Sequence, residues 1–126
     1  ALADVEAVLL FAAGSGISPI RAAIESGALE GKAISLYYGA QTPSQMAYTD
    51  KFASWEELGV TVTPVISKPE GTKWDGATGY VQDVAKAAGV PSSCAMLLCG
   101  MKGMAEGVKA LASDVGVPED KVLTNF

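Results

Sequence analysis

Apolar stretches and amphipathic stretches alternate along this 126-residue chain. Residues 6–13 (EAVLLFAA), 33–39 (AISLYYG), 60–66 (VTVTPVI) and 94–99 (CAMLLC) are mostly apolar and predict buried strands, and 121–124 (KVLT) predicts a short fifth. Between them, apolar residues recur at helical spacing. Residues 19–26 carry Ile20 and Ile24 on one face, with Gly27 placed to end the helix. Residues 42–58 carry Tyr48, Phe52, Trp55 and Leu58 on a stripe. Thr42 is the expected N-cap there, Pro43 suits the first helical position, Gln45 completes a capping box and Gly59 stops the run. A third helix is expected from a Thr78 cap to Ala88, ended by Gly89. A fourth runs from Met104 to Val115, with Met104, Val108, Leu111 and Val115 on one stripe and Gly116 as its stop. Residues 14–18 and 100–103 read as turns, and 67–77 (SKPEGTKWDGA) as a polar loop rich in Gly and Pro.

Strands that are apolar along their length and separated by helices imply a parallel sheet covered on both faces. With right-handed crossovers, the expected fold is α/β: a doubly wound, five-stranded parallel sheet with helices on both faces. Its ligand crevice belongs at the carboxyl ends of the central strands, where the winding reverses. One domain with one core fits the length, and no repeat, low-complexity tract or interdomain linker interrupts it.

Composition narrows the function classes. The net charge of −5 argues against a nucleic-acid partner, which usually demands a basic face, and gives no reason to expect an anionic membrane surface as partner. The apolar runs have strand length rather than bilayer length, so no membrane span is expected. The chain has no histidine, which removes Ser–His–Asp and Cys–His chemistry and most zinc sites; no metal is expected. Cys94 and Cys99 stand five apart on one strand and so face opposite ways, which argues against a disulfide and for a reducing compartment. The chain begins at Ala1 without a start Met and reads as a fragment or a processed chain.

Three segments have the makings of a site. Gly14-Ser15-Gly16-Ile17-Ser18-Pro19 follows the first strand directly. It is either an ordinary tight turn or a phosphate cradle, with Ser18 capping the next helix, Pro19 opening it and free N–H groups facing an anion. It lacks the third glycine of the Rossmann fingerprint, and no acidic residue ends the second strand. Cys99-Gly100-Met101-Lys102-Gly103-Met104 follows the fourth strand at the same end of the sheet. Cys99 there is either a small buried hydrophobe or a soft contact for a flat heteroaromatic ring; Met104 reads as core. Ser67 and Lys68, with Lys73 and Trp74 beyond them, follow the third strand. They form either a solvated basic loop or a seat for the 2′-phosphate of NADP.

In this order the segments resemble the ferredoxin–NADP reductase superfamily. Phe11 to Arg21 (FAAGSGISPIR) resembles its pyrophosphate loop, and Leu36 to Thr42 (LYYGAQT) its second strand and following turn. Trp74 to Asp83 (WDGATGYVQD) resembles the entry to its third helix, and Leu98 to Met104 (LCGMKGM) its Cys-Gly motif. The chain closes Leu123-Thr124-Asn125-Phe126, and members often end on an aromatic residue. The match covers the whole chain and is closest to plant and algal members other than the photosynthetic reductase.

The resemblance implies an NAD(P)-binding domain over residues 1–126, the nucleotide half of an NAD(P)H-dependent flavoprotein oxidoreductase. Its FAD-binding barrel, absent from this chain, would precede it in the same polypeptide. The implied cofactors are NADP or NAD, with FAD bound mainly by the other domain. Gly14 to Pro19 would cradle the pyrophosphate and Thr42 would line the groove. Ser67 and Lys68 would face the adenosine ribose. Cys99, Gly100 and Met101 would sit beside the nicotinamide, and Phe126 would cover the flavin ring until nicotinamide displaces it. Met101 departs from the usual Pro after Cys-Gly. Lys68 stands where NADP-specific members often have Arg, and lacks the bidentate fork of Arg. Hydride would pass between nicotinamide and flavin, and the isolated domain would be inactive. The electron acceptor, a protein or a small molecule, is not readable. A soluble protein of a reducing compartment is expected, a chloroplast on the plant and algal character and the cytoplasm otherwise.

Two other readings share the architecture. One is a nucleotide-binding or regulatory module without redox activity. The other is a flavodoxin-like or response-regulator-like domain, for which the Ser/Thr-rich first loop or the clustered acids at strand ends are lacking.

Overall fold

The strand after the N-terminal residues is the axis of the molecule. In the computed structural model, which describes residues 5–27, 29, 31–91, 93–100 and 102–124 apart from the side chains of Ser15 and Lys102, β1 (Ala7–Ala13) is buried over all but its last residue. It pairs in parallel with β2 (Ala33–Ala40) on one side and β5 (Cys94–Cys99) on the other. Beyond β2 lie β3 (Val60–Ile66) and a two-residue β4 (Ala77–Thr78); beyond β5 lies β6 (Val122–Thr124). The order β4-β3-β2-β1-β5-β6 places the reversal of winding between β1 and β5.

Alternation along β1 explains the two cores. Val8, Leu10 and Ala12 point to one face, where α1 (Ile17–Glu25) and α2 (Phe52–Glu57) supply Ile17, Ile20, Ile24 and Trp55. Ala7, Leu9 and Phe11 point to the other, where α3 (Val81–Ala88) and α4 (Lys102–Val115) supply Val81, Ala85, Val108 and Leu111. Phe11 stacks on Tyr37 there, with ring centroids 5.5 Å apart. Each large aliphatic chain so buried contributes roughly 1.5–3 kcal/mol. Cys94 and Cys99 are buried on opposite faces, as their spacing implied.

The doubly wound parallel sheet is thus as expected, but with six strands rather than five. The additional strand corrects the reading of Thr78 as a helix cap. Val65 pairs with Ala77 and Ile66 with Thr78, and the Gly79 N–H donates to the Ile66 carbonyl at 3.1 Å. The edge of β3 satisfies this backbone, so α3 starts three residues later, flanked by an extended Tyr80.

The expected helix over 42–58 is broken into pieces. Thr42 is extended and makes no cap bond; its Oγ1 lies 3.2 Å from the Ser44 hydroxyl instead. A single 3₁₀ turn covers Pro43–Gln45, and a second covers Thr49–Lys51 before α2 begins. The cause is the fully buried Tyr38, whose hydroxyl accepts the Ala47 N–H at 2.9 Å and draws the chain out of helical geometry. Tyr48 then takes the left-handed conformation, φ 61°. Tyr48, Phe52 and Trp55 still pack on the sheet, but Leu58 is exposed.

Smaller shifts concern helix starts. α1 begins at Ile17, flanked by Gly16 without a side-chain cap, so Ser18 and Pro19 lie inside the first turn. Proline is tolerated there because first-turn N–H groups have no helical partner. α4 begins two residues before Met104, and β6 one residue after Lys121.

Candidate functional site

The glycine turn after β1 is shaped by two different demands. Gly14 has φ +56° with open space where a β-carbon would stand, so it serves the turn itself. Gly16 serves a close approach: a β-carbon there would lie 2.5 Å from the Cys99 carbonyl carbon and 3.0 Å from the Gly100 nitrogen. The turns leaving β1 and β5 therefore touch at the point where the winding reverses.

Beside them opens a crevice of about 920 Å³. Its walls come from the carboxyl ends of three strands: Ala13 and Gly14 at the end of β1, Gly39 to Gln41 at the end of β2, and Ser67 and Lys68 just after β3. The starts of α3 and α4 close it with Tyr80, Gln82, Gly103 and Met104. The Ser67 and Lys68 N–H groups donate to the Ala40 and Gln41 carbonyls at 3.0 and 2.9 Å, which fixes the third wall to the second.

The residues singled out from sequence fall into three groups. Gly14, Ser67 and Lys68 line the crevice, with Lys68 exposed. Gly16, Cys99 and Gly100 form the crossing beside it; the Cys99 side chain is buried with Ala12 and Ile17 on the α1 face and is not a wall of the crevice. Met104 is both core and wall, and its methyl group lies against Gly100. The rest lie apart. Ile17 is buried, Ser18 is exposed with its hydroxyl 3.4 Å from that of Tyr48, Pro19 is half-buried, and Thr42 stands next to the lining residue Gln41. The turn's backbone passes through Ser15, whose side chain lies outside the described residues, as do Met101 and Phe126.

Sequence reasoning gave no site role to Gln41, Gln45, Tyr80 and Gln82, all of which line the crevice. Tyr80 is 63 % exposed. An aromatic ring left open on a concave wall is the signal that marks it, and only the three-dimensional placement shows it.

A polar cluster ties α1 to the segment before α2. The Arg21 guanidinium lies 4.7 Å from the Tyr48 ring centroid and 3.0 Å from the Glu25 carboxylate, which also accepts the Trp55 indole N–H at 3.0 Å. The Trp55 hydrogen bond and then Arg21 hold the Glu25 carboxyl below its ordinary range. The Ser18 hydroxyl and then Arg21 lower the Tyr48 phenol. Burial raises the Tyr37 phenol and the Cys94 thiol. Among the described residues no group of three or more His, Cys, Asp and Glu side chains can hold a metal ion, and no helix is long and apolar enough to cross a membrane.

Residues 10–110 match the family described as oxidoreductase NAD-binding domain. The chain belongs to that family. This NAD-binding domain is 38 % identical over 125 residues to Fruit protein pKIWI502 of Actinidia deliciosa, covering 95 % of the chain and 39 % of that protein. It is 28 % identical over 132 residues to a component of the Na(+)-translocating NADH-quinone reductase of Pasteurella multocida, covering 95 % of the chain and 32 % of that component. The chain thus spans well under half the length of these relatives. Among solved structures, the ferredoxin NADP+ reductase of Neisseria gonorrhoeae with bound FAD and NADP superposes with a TM-score of 0.81 over 98 % of the chain and 57 % of that protein, at 16 % identity. That likeness is one of fold.

Proposed function

We propose that this domain is the pyridine-nucleotide-binding half of a flavin-dependent oxidoreductase, working with an FAD-binding domain elsewhere in its polypeptide. The observation that carries the reading is the crevice at the reversal of the sheet, walled by the turn after β1 and by the ends of β2 and β3. Its volume lies near the top of the range of about 300–1,000 Å³ usual for small-molecule sites, which suits an extended dinucleotide.

The residues fit the group. Gly14 has no side chain to obstruct a pyrophosphate, and the turn from Gly14 to Gly16 leads into α1, whose Ile17 and Ser18 N–H groups are first-turn donors; Pro19 donates none. Ser67 and Lys68 face the adenosine ribose, where the ammonium group favours a 2′-phosphate. The exposed Tyr80 ring offers an apolar face to adenine. Thr42, bonded to Ser44, supports the rim that carries Gln41 and Gln45. The Cys99-Gly100 turn would border the nicotinamide end, and the roles that the family resemblance implies for Met101 beside the nicotinamide and Phe126 over the flavin ring belong to the same proposal.

When bound, the nicotinamide ring supplies or accepts the hydride that the flavin exchanges with it. This chain's residues bind the nucleotide, orient it and exclude water; none of them acts as general acid or base. The electrons pass on to a protein or small-molecule acceptor.

Calorimetric titration of the chain with NADPH and NADH tests the reading. Saturable binding is expected, with no oxidation of either by the chain alone. Absence of binding, or turnover without added flavin protein, contradicts it. A full-length protein that carries no flavin yet binds nucleotide selects the regulatory module instead.

A further inference from the structure

The connection from β3 to β4 reaches the crevice at both its ends. Ser67 and Lys68 line the crevice where the chain leaves the sheet, and Gly79 and Tyr80 line it just past the return. Between these points the loop is closed by its own side chains. The Trp74 indole N–H donates to the Ala77 carbonyl at 2.8 Å. The indole also covers Gly76, where a β-carbon would lie 2.6 Å from Cζ2 and 3.0 Å from Cε2. Gly76 is not among the glycines of positive φ, so it is the ring, not the backbone, that requires the missing side chain. The Trp74 N–H donates to Thr72 Oγ1 at 3.3 Å, and that hydroxyl donates to the Pro69 carbonyl at 2.5 Å.

The geometry points to Trp74 as a positioning residue: seated on Gly76 and bonded to Ala77, it holds the loop so that Lys68 and Tyr80 stand at a set separation on the crevice before the nucleotide arrives. The inference rests on the nucleotide-binding reading above. The hydrogen bonds of Trp74 go to Thr72 and Ala77 rather than to Lys68 or Tyr80, so the link runs through the loop backbone and its pairing to β3. An ordered loop spares the ligand the entropy of fixing both walls, so the effect falls on affinity. Trp74 has no part in the chemistry.

The test compares the unaltered chain with Gly76→Ala, Trp74→Ala and Trp74→Phe, titrated calorimetrically with NADPH and with 2′-phospho-ADP-ribose. Gly76→Ala and Trp74→Ala are expected to weaken both ligands by the same factor, about tenfold, because both ligands share the adenosine half. Trp74→Phe keeps a ring without the N–H and is expected to recover part of the loss. At saturating NADPH, the amide shifts of Gly14 and Gly16 should match those of the unaltered chain while those of Lys68 and Tyr80 differ. If Gly76→Ala proves too unstable to titrate, the pair at Trp74 carries the comparison. Unchanged affinity in the Trp74→Ala chain overturns the inference, and so does an equal disturbance at Gly14 and Gly16, which would mean general loosening. Failure of the unaltered chain to bind either ligand overturns the nucleotide reading itself.

Discussion

Gly16 stands so close to the Cys99 peptide that a β-carbon on it would lie 2.5 Å from the Cys99 carbonyl carbon. Both partners at this crossing are backbone, held by β1 and β5, so neither can yield cheaply. Gly16→Ala is expected to cost about 1–3 kcal/mol of stability by overpacking and to weaken nucleotide binding by displacing the turn. Urea unfolding and an NADPH titration on the same variant measure both effects. A variant of unchanged stability contradicts the contact.

Gly14 should behave differently, because the space around it is open and only its φ of +56° resists a side chain. Gly14→Ala is expected to cost about 1–2 kcal/mol and Gly14→Asn less, since Asn tolerates the left-handed region. Thermal unfolding of the two variants checks the ranking. Equal losses would mean that contact, rather than backbone geometry, governs this position.

Lys68 bears on nucleotide preference. Removal of its ammonium group in Lys68→Ala should weaken NADPH more than NADH, by about 1 kcal/mol for an exposed charge pair, and Lys68→Arg should favour NADPH through a bidentate grip. The difference should shrink at high salt. Equal losses for the two nucleotides would remove Lys68 from the 2′-phosphate.

Acid should loosen the fold at two identifiable carboxylates. Glu25 is held below its ordinary value by the Trp55 indole and Arg21, and Asp114 by its hydrogen bond to Lys86, 2.8 Å away. The unfolded chain therefore binds protons more readily at both. Their contribution is complete above the ordinary values of 4.5 and 3.8 and is lost as pH falls through the lower folded ones. Both groups are exposed, so the loss is modest and salt-sensitive. The thermal midpoint should fall from pH 7 to pH 3, and Glu25→Gln should flatten that fall. A midpoint that holds steady across the range contradicts the pairing.

What the sequence disclosed, and what it withheld, follows from where each signal lies. β3 and β5 were legible to the residue, β5 as an uninterrupted apolar run ended by Gly100 and β3 as a β-branched run that starts directly after Gly59. The segment 42–58 was misread because its cap, its proline and its stripe all favour a helix. The opposing force is tertiary: the Tyr38 hydroxyl, distant from that pattern, takes the Ala47 N–H. β4 was illegible because two residues carry no periodicity. At the site, glycine spacing located the turn after β1, but the approach of Gly16 to Cys99 is a relation between strands that no single stretch displays. The inward face of Cys99 was open in the sequence, since alternation gives opposite faces to Cys94 and Cys99 without saying which one meets the ligand.

Amide chemical shifts of this chain during titration with NADPH locate the nucleotide relative to the reversal of winding in the sheet. Saturable shifts are expected at Gly14, Gly16, Ser67, Lys68, Tyr80 and Gly100, all at the carboxyl ends of the strands, with Ala33, Val60 and Cys94 at the opposite ends unmoved. Shifts centred on those opposite ends, or none that saturate, would contradict nucleotide binding at that reversal.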